Sequence, residues 1–329
     1  MRAIQITELT GPETALKLVD IPAPEPSHFM TPGRGVLVEV HAAGVSFPEL
    51  LQSRGMYQMK PELPFVPGSE VGGVVLSAPE GSSLKAGDRV AAFSLLGGFA
   101  ETVVAPEFGT FPIPDEMSFR QASGLVLNYH TAYFTLVTRG RLAAGETVLV
   151  HGAAGGVGTA VLQVARGLGA RTIAVVSSEE KERIAREAGA DVVLRSDGPW
   201  KDEALEASGG GVDIVIDPVG GERFLDSLRS LARGGRLVVV GFTAGIPEVK
   251  VNRLLLRNVD VVGAAWGGWA LEETETFGEL GAAIDELTRA GHIAPIVGPV
   301  FPLERAADAL LCLDRREAFG KIVLDVRPG

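Results

Sequence analysis

Cysteine is almost missing. Cys312 is the only one among 329 residues, which excludes an intrachain disulfide and any zinc cluster built from thiolates. It falls within the apolar helical pattern Leu303 to Leu313, where a cysteine reads as core filling. Basic residues are also in deficit, 30 against 41 acidic ones, for a net charge of -11. That balance does not supply the concentrated positive surface that nucleic acid or an anionic membrane requires. No apolar run is long enough to span a bilayer. The stretch MRAIQITELTGPETALKLVD has no basic segment followed by an apolar one, so a cytoplasmic location is expected. The five histidines, His28, His41, His130, His151 and His292, are scattered without ligand spacing. No metal site is expected from them.

What is present is an ordinary globular composition, 22% charged and 46% apolar, in a chain long enough for two domains. From Arg2 to Ile113 short β-type runs (RAIQI, GVLVEVHAAGVSF, EVGGVVLSA, GDRVAAF, AETVVAP) alternate with Gly and Pro, the texture of a small β-barrel or sandwich. From Ser118 the texture becomes helical over 118–139, and after Gly145 strands and helices alternate. Strands are predicted at 147–150, 171–176, 191–194, 212–217, 236–241 and 259–264, with helices at Lys181 to Ala188, Arg223 to Ala232 and around Phe277 to Leu287, ending at Gly291. The tail returns to short strands around one helix, closing with Lys321 to Val326, and is expected to rejoin the first domain.

Thr147 to Gly169, TVLVHGAAGGVGTAVLQVARGLG, is the most informative stretch. A short aliphatic run meets glycines and then a helical apolar pattern, which reads as strand, tight turn and helix. Gly155, Gly156 and Gly158, with Val157 between, provide a turn that a diphosphate can approach and a helix whose N-terminal N–H groups face it. The pattern is A-x-G-x-x-G, Ala153 standing where a first glycine is usual. Turns at Asp217 to Gly221 and Gly241 to Gly245 should converge beside it, beyond the carboxyl ends of the strands. Sites that prefer NAD carry an acidic residue at the end of the second strand. Here that end is Ser177-Ser178, with Lys181 one turn further on, which favours NADP(H).

Segments spread over nearly the whole chain resemble one family. They include GVSFPELLQSRGMY (44–57), PFVPGSEVGGVV (64–75), GGFAETVVAP (97–106), NYHTAY (128–133), the glycine turn, DPVGG (217–221), GGRLVVVGF (234–242) and FGKIVL (319–324). The resemblance is to the zinc-free quinone oxidoreductases of the medium-chain dehydrogenase/reductase superfamily. It implies an α/β chain in which a Rossmann doubly wound parallel sheet, 121–292, is inserted in a GroES-like β-barrel domain, 1–120 completed by 293–329, with the active site in the cleft. Where zinc-dependent relatives carry metal ligands, this chain has Ser46 and Ser69, with Glu70 alone remaining. The implied reaction is metal-free hydride transfer from NADPH to a quinone or an α,β-unsaturated carbonyl. Two alternatives stay open, an enoyl-thioester reductase and an NADPH-binding protein that turns nothing over.

The resemblance also nominates residues. Gly155 to Gly158 hold the diphosphate; Ser177, Ser178, Lys181 and Arg316 face the 2′-phosphate, with Ser196, or Arg195 beside it, where some members have a tyrosine. Gly241, Phe242, Trp266 and Lys321 are further cofactor candidates. Tyr57 lines the substrate cleft as a donor, Ser46 replaces a common asparagine, and Asn128 is a substitute source of that amide. Trp266 and Trp269 line the cleft or pack an interface, since members pair as homodimers through the Rossmann edge strand, here 259–264.

Overall fold

A computed structural model describes residues 1–327. They form two compact units, Met1–Leu127 together with the stretch from Pro295 onward, and Asn128–Ala294.

The first unit is built on a seven-stranded sheet in which Val36–Val45 is the central member. Along one edge this strand pairs with Glu70–Ser77. Its other edge is shared end to end: Val36 to Glu39 pair with Ala105 to Thr102, and Ala42 to Val45 pair with Asp325 to Ile322. The tail strand Lys321–Asp325 is thereby stitched to the N-terminal sheet, as a discontinuous domain requires. Strand Val36–Val45 begins with alternating burial and ends fully buried, where helix Phe119–Ala122 and the residues just after it pack against the strand. Its inward valines pack with Leu50, Val71, Phe99, Leu310 and Leu324. Full burial of such side chains contributes about 1.5–3 kcal/mol each.

The second unit holds six parallel strands in the order Val192–Arg195, Arg171–Val176, Thr147–His151, Val212–Asp217, Leu231–Val239, Asp260–Gly263. The order reverses between Thr147–His151 and Val212–Asp217, so their carboxyl ends splay apart and leave a crevice there. Leu149, Ile173, Val175, Val215 and Leu237 form one face of the core with Trp200, Phe224 and Leu228.

Local differences from the sequence expectation have physical causes. The helix expected to Ala232 stops at Ser230, and Leu231 begins a strand, because Leu231 pairs with Val212 ahead of a bulge. The helical stretch 118–139 is divided into Phe119–Ala122, Val126–Tyr133 and a π-helical segment Phe134–Arg139. Gly124 stands at the first break. A Cβ there would lie 2.9 Å from Cγ of Lys321.

Candidate functional site

The glycine turn of the second unit follows strand Thr147–His151. Gly152 turns the chain with φ +58, and helix Gly156–Gly167 starts at once, capped by Gly155 with no side chain. A Cβ on Gly158 would collide with the Gly152 oxygen and lie 2.7 Å from Ala153 Cα; only glycine lets the helix sit this close to the strand. At Gly155 the same test meets nothing nearer than 3.4 Å. That side of the turn is open backbone, with N–H groups of the first helical turn that have no intrahelical acceptor. Such a bare, positively polarised helix start fits a diphosphate. Asn128 flanks it: a Cβ on Gly156 would lie 2.7 Å from its Nδ2. Gly241 lies across from Pro218, whose oxygen would be 3.3 Å from a Cβ there, and Phe242 packs beside Gly220 while remaining 48% exposed.

Ser177, Ser178 and Lys181 come together at the end of strand Arg171–Val176. Ser178 caps helix Glu179–Glu187, its Oγ accepting from the Lys181 N–H at 3.3 Å. Among the described residues the hydroxyl proton has no acceptor and can donate. Arg195 donates to the Ser177 oxygen at 3.2 Å and to Asp197 at 3.0 Å, and Ser196 N–H bonds the Val176 oxygen at 2.8 Å. Arg195 and Ser196 therefore sit at the same strand end as the two serines.

The first unit contains a buried polar cluster. Lys321 is 3% exposed, and its Nζ donates to Ser46 Oγ at 2.6 Å and to Glu70 Oε1 at 2.5 Å. The other Glu70 oxygen accepts from Leu127 N–H at 2.9 Å. Glu49, also fully buried, accepts from Ser46 N–H at 2.9 Å, Ser69 N–H at 3.0 Å and Ser69 Oγ at 2.5 Å. Burial pushes both carboxyls above their ordinary range. Against it, Ser69 and the Lys321 charge pull Glu49 down, and the Lys321 charge and hydrogen bond pull Glu70 down. Tyr57 is half-buried, and burial reinforced by the Glu49 charge raises its phenol, which stays protonated.

The nominated residues thus divide. Gly155, Gly156, Val157, Gly158 and Asn128 sit at the glycine turn, and Gly241 and Phe242 lie against Pro218 and Gly220 of the neighbouring turn. Ser177, Ser178, Lys181 and Ser196 share one strand end. Ser46 and Lys321 touch each other in the first unit, where Arg316, exposed with φ +59, also resides. Trp266 is 1% exposed, its ring edge-on to His130 and Phe277 at 5.2 Å each, so this side chain belongs to the core packing of the second unit. Glu49 was not singled out by the sequence reading, although Ser46-x-x-Glu49 is a legible capping box. Among the described residues no group of three or more His, Cys, Asp or Glu is placed to hold a metal ion.

The alcohol dehydrogenase GroES-like domain family matches residues 32–115 and the zinc-binding dehydrogenase family matches 156–286. The chain is 39% identical to quinone oxidoreductase-like protein 2 of Mus musculus, over 99% of this chain and 92% of that protein. A probable oxidoreductase from Mycobacterium abscessus is 44% identical, with a TM-score of 0.87 over 99% of this chain and 98% of that one. The quinone oxidoreductase from Thermus thermophilus, whose crystal structures include a complex with NADPH, is 35% identical, with a TM-score of 0.83 over 99% and 100%.

Proposed function

The chain is an oxidoreductase that belongs to the quinone oxidoreductases of the medium-chain dehydrogenase/reductase superfamily, and on that premise we propose that it reduces a quinone or an α,β-unsaturated carbonyl with NADPH and without a metal ion. The observation that carries this reading is the open glycine turn joined to a second-strand end where Ser177 and Ser178 replace an acidic residue. The second strand itself ends in two neutral serines, and Lys181 and Arg195 add positive charge there, that of Arg195 partly offset by its ion pairs with Glu182 and Asp197.

NADPH, when bound, supplies the hydride. The chain's own residues bind and orient. N–H groups at Gly156 and Val157 take the diphosphate, Ser177, Ser178 and Lys181 take the 2′-phosphate, and the Asn128 amide holds the dinucleotide from beside Gly156. Gly241 gives close backbone approach and Phe242 covers an apolar face. Tyr57, kept protonated, donates a hydrogen bond to the acceptor's oxygen as negative charge develops there. The metal-free reading is supported by the donor set: Ser46 and Ser69 offer neutral hydroxyls where zinc relatives have ligands, and the Lys321 ammonium against Ser46 would repel a metal cation. A second copy of the chain is proposed to pair along the edge strand Asp260–Gly263.

Anaerobic stopped-flow mixing with NADPH and a panel of quinones, enals, enones and enoyl thioesters tests the reading. Oxidation of NADPH by quinones or enones is expected. Turnover confined to enoyl thioesters, or none, would overturn it.

A further inference from the structure

Lys321 reaches its partners through a passage kept free of side chains. A Cβ on Gly44 would lie 2.5 Å from Lys321 Cε, and one on Gly124 would lie 2.9 Å from its Cγ. Two separate backbone segments are therefore glycine where the stem passes. The passage ends at Glu70 and Ser46. An ammonium only donates, so Ser46 Oγ is the acceptor in its 2.6 Å bond with Nζ. The Ser46 hydroxyl proton then has no acceptor among the described residues. Glu49, Ser69, Glu70 and Lys321 are all at most 5% exposed, whereas Ser46 is half-buried. It is the member of this set through which the buried charge meets the outside.

Resting on the reductase reading above, we propose that Ser46 is a catalytic hydrogen-bond donor to the acceptor oxygen that gains negative charge on reduction, and that Lys321 is the positioning residue that turns and polarises the Ser46 hydroxyl. The electron pair delivered with the hydride comes to rest on that oxygen. Ser46 holds it by an O–H hydrogen bond until a solvent proton arrives, and no bond at Ser46 breaks. A hydroxyl whose oxygen accepts from a buried cation is a stronger donor than an isolated serine. Glu70 fixes the cation, and Glu49 fixes the Ser46 backbone through its N–H.

The test combines kinetics with a titration that needs no substrate. Ser46→Ala is expected to lower kcat about 100-fold, the scale for losing one oxyanion donor, with NADPH affinity unchanged by fluorescence titration. Lys321→Met alone strands Glu70 and endangers folding, so it is made together with Glu70→Gln. In that background Ser46→Ala should cost only a few-fold more, because Lys321 acts through Ser46. The thiol introduced by Ser46→Cys, followed by thiolate absorbance against the wild-type protein with its Cys312, should ionise about one pH unit lower when Lys321 is present than in the Lys321→Met/Glu70→Gln background. An unchanged thiol titration removes Lys321 from the proposal. A shifted titration with full kcat in Ser46→Ala removes the catalytic role. Failure of the wild-type protein itself to turn over any acceptor would instead sink the reductase reading, and the proposal with it.

Discussion

The Arg195 guanidinium donates to the carbonyl oxygen of Ser177 at 3.2 Å, tying the ends of strands Arg171–Val176 and Val192–Arg195. The consequence is a small set of donors, Ser177, Ser178, Lys181 and Arg195, at one strand end. Glu182 and Asp197 are both ion-paired to Arg195 and offset its charge. Lys181→Ala should weaken NADPH binding about tenfold, as for a lost charge-assisted hydrogen bond. Arg195→Ala should weaken it as well, and NADH affinity should stay within about twofold for both. Calorimetric titration of each variant with both cofactors decides; equal losses for NADPH and NADH would remove the 2′-phosphate assignment.

Gly155 and Gly158 predict opposite failures in one turn. Alanine at 158 would drive a methyl into the Gly152 oxygen and the Ala153 backbone, which cannot step aside, and overpacking costs about 1–3 kcal/mol or more. Gly158→Ala should lower the melting temperature by several degrees even without cofactor. Gly155→Ala meets only ordinary contact and should melt like the parent, yet lose NADPH affinity because its methyl occupies the approach of the diphosphate. Thermal melts with and without NADPH separate the two; a Gly155→Ala protein stabilised by NADPH as strongly as the parent would contradict the placement of the diphosphate.

The parallel sheet was legible because its central strands are buried on both faces and read as unbroken aliphatic runs such as VLV and IVI. Where burial is partial the reading weakened: LARGG, at the start of Leu231–Val239, looks like a helix end and a turn, and becomes strand only through its pairing with Val212. The glycine turn was legible for the same reason that it works, since bare backbone is written as glycine. The Lys321 cluster was not. Lysine inside FGKIVL gives no local sign of burial, and its Ser46 partner is 275 residues away. Glu49 was within reach, because the capping spacing from Ser46 is local.

His130 carries a prediction about acid. It is fully buried between Trp266 and Phe277, and burial lowers its pKa from 6.5 to about 3. Between these values the unfolded chain binds a proton that the folded chain refuses, so stability is full above about pH 6.5 and falls on acidification by about 1.4 kcal/mol per pH unit. Glu49 and Glu70, whose carboxyls are raised, act with the opposite sign, losing stability as pH rises above their ordinary range. A comparison with His130→Phe cancels that contribution. Urea unfolding at pH 7 and pH 5 should show a pH dependence smaller by about 2 kcal/mol in the variant; identical dependence would mean that His130 titrates normally.

The edge of the second unit bears on assembly. Strand Asp260–Gly263 pairs with Leu231–Val239 on one side, and its other edge has no strand partner among the described residues. Helix Asn252–Arg257 immediately before it buries none of its residues, although it contains three consecutive leucines. Leu255 and Leu256 are 76% and 73% exposed, and Val251 and Ile246 nearby are 74% and 79% exposed. An open strand edge and a run of exposed apolar side chains close to it in sequence are both costly for a solitary chain. The proposed second copy would cover both, since a two-fold axis brings the same surface of each copy together. Leu255→Glu/Leu256→Glu should then leave the fold intact, because neither side chain is buried within the chain, but abolish association. Sedimentation velocity at micromolar concentration should show the parent at twice 34.5 kDa and the variant at that mass. A parent that sediments as a single chain, or a variant that still pairs, would place the association elsewhere or nowhere.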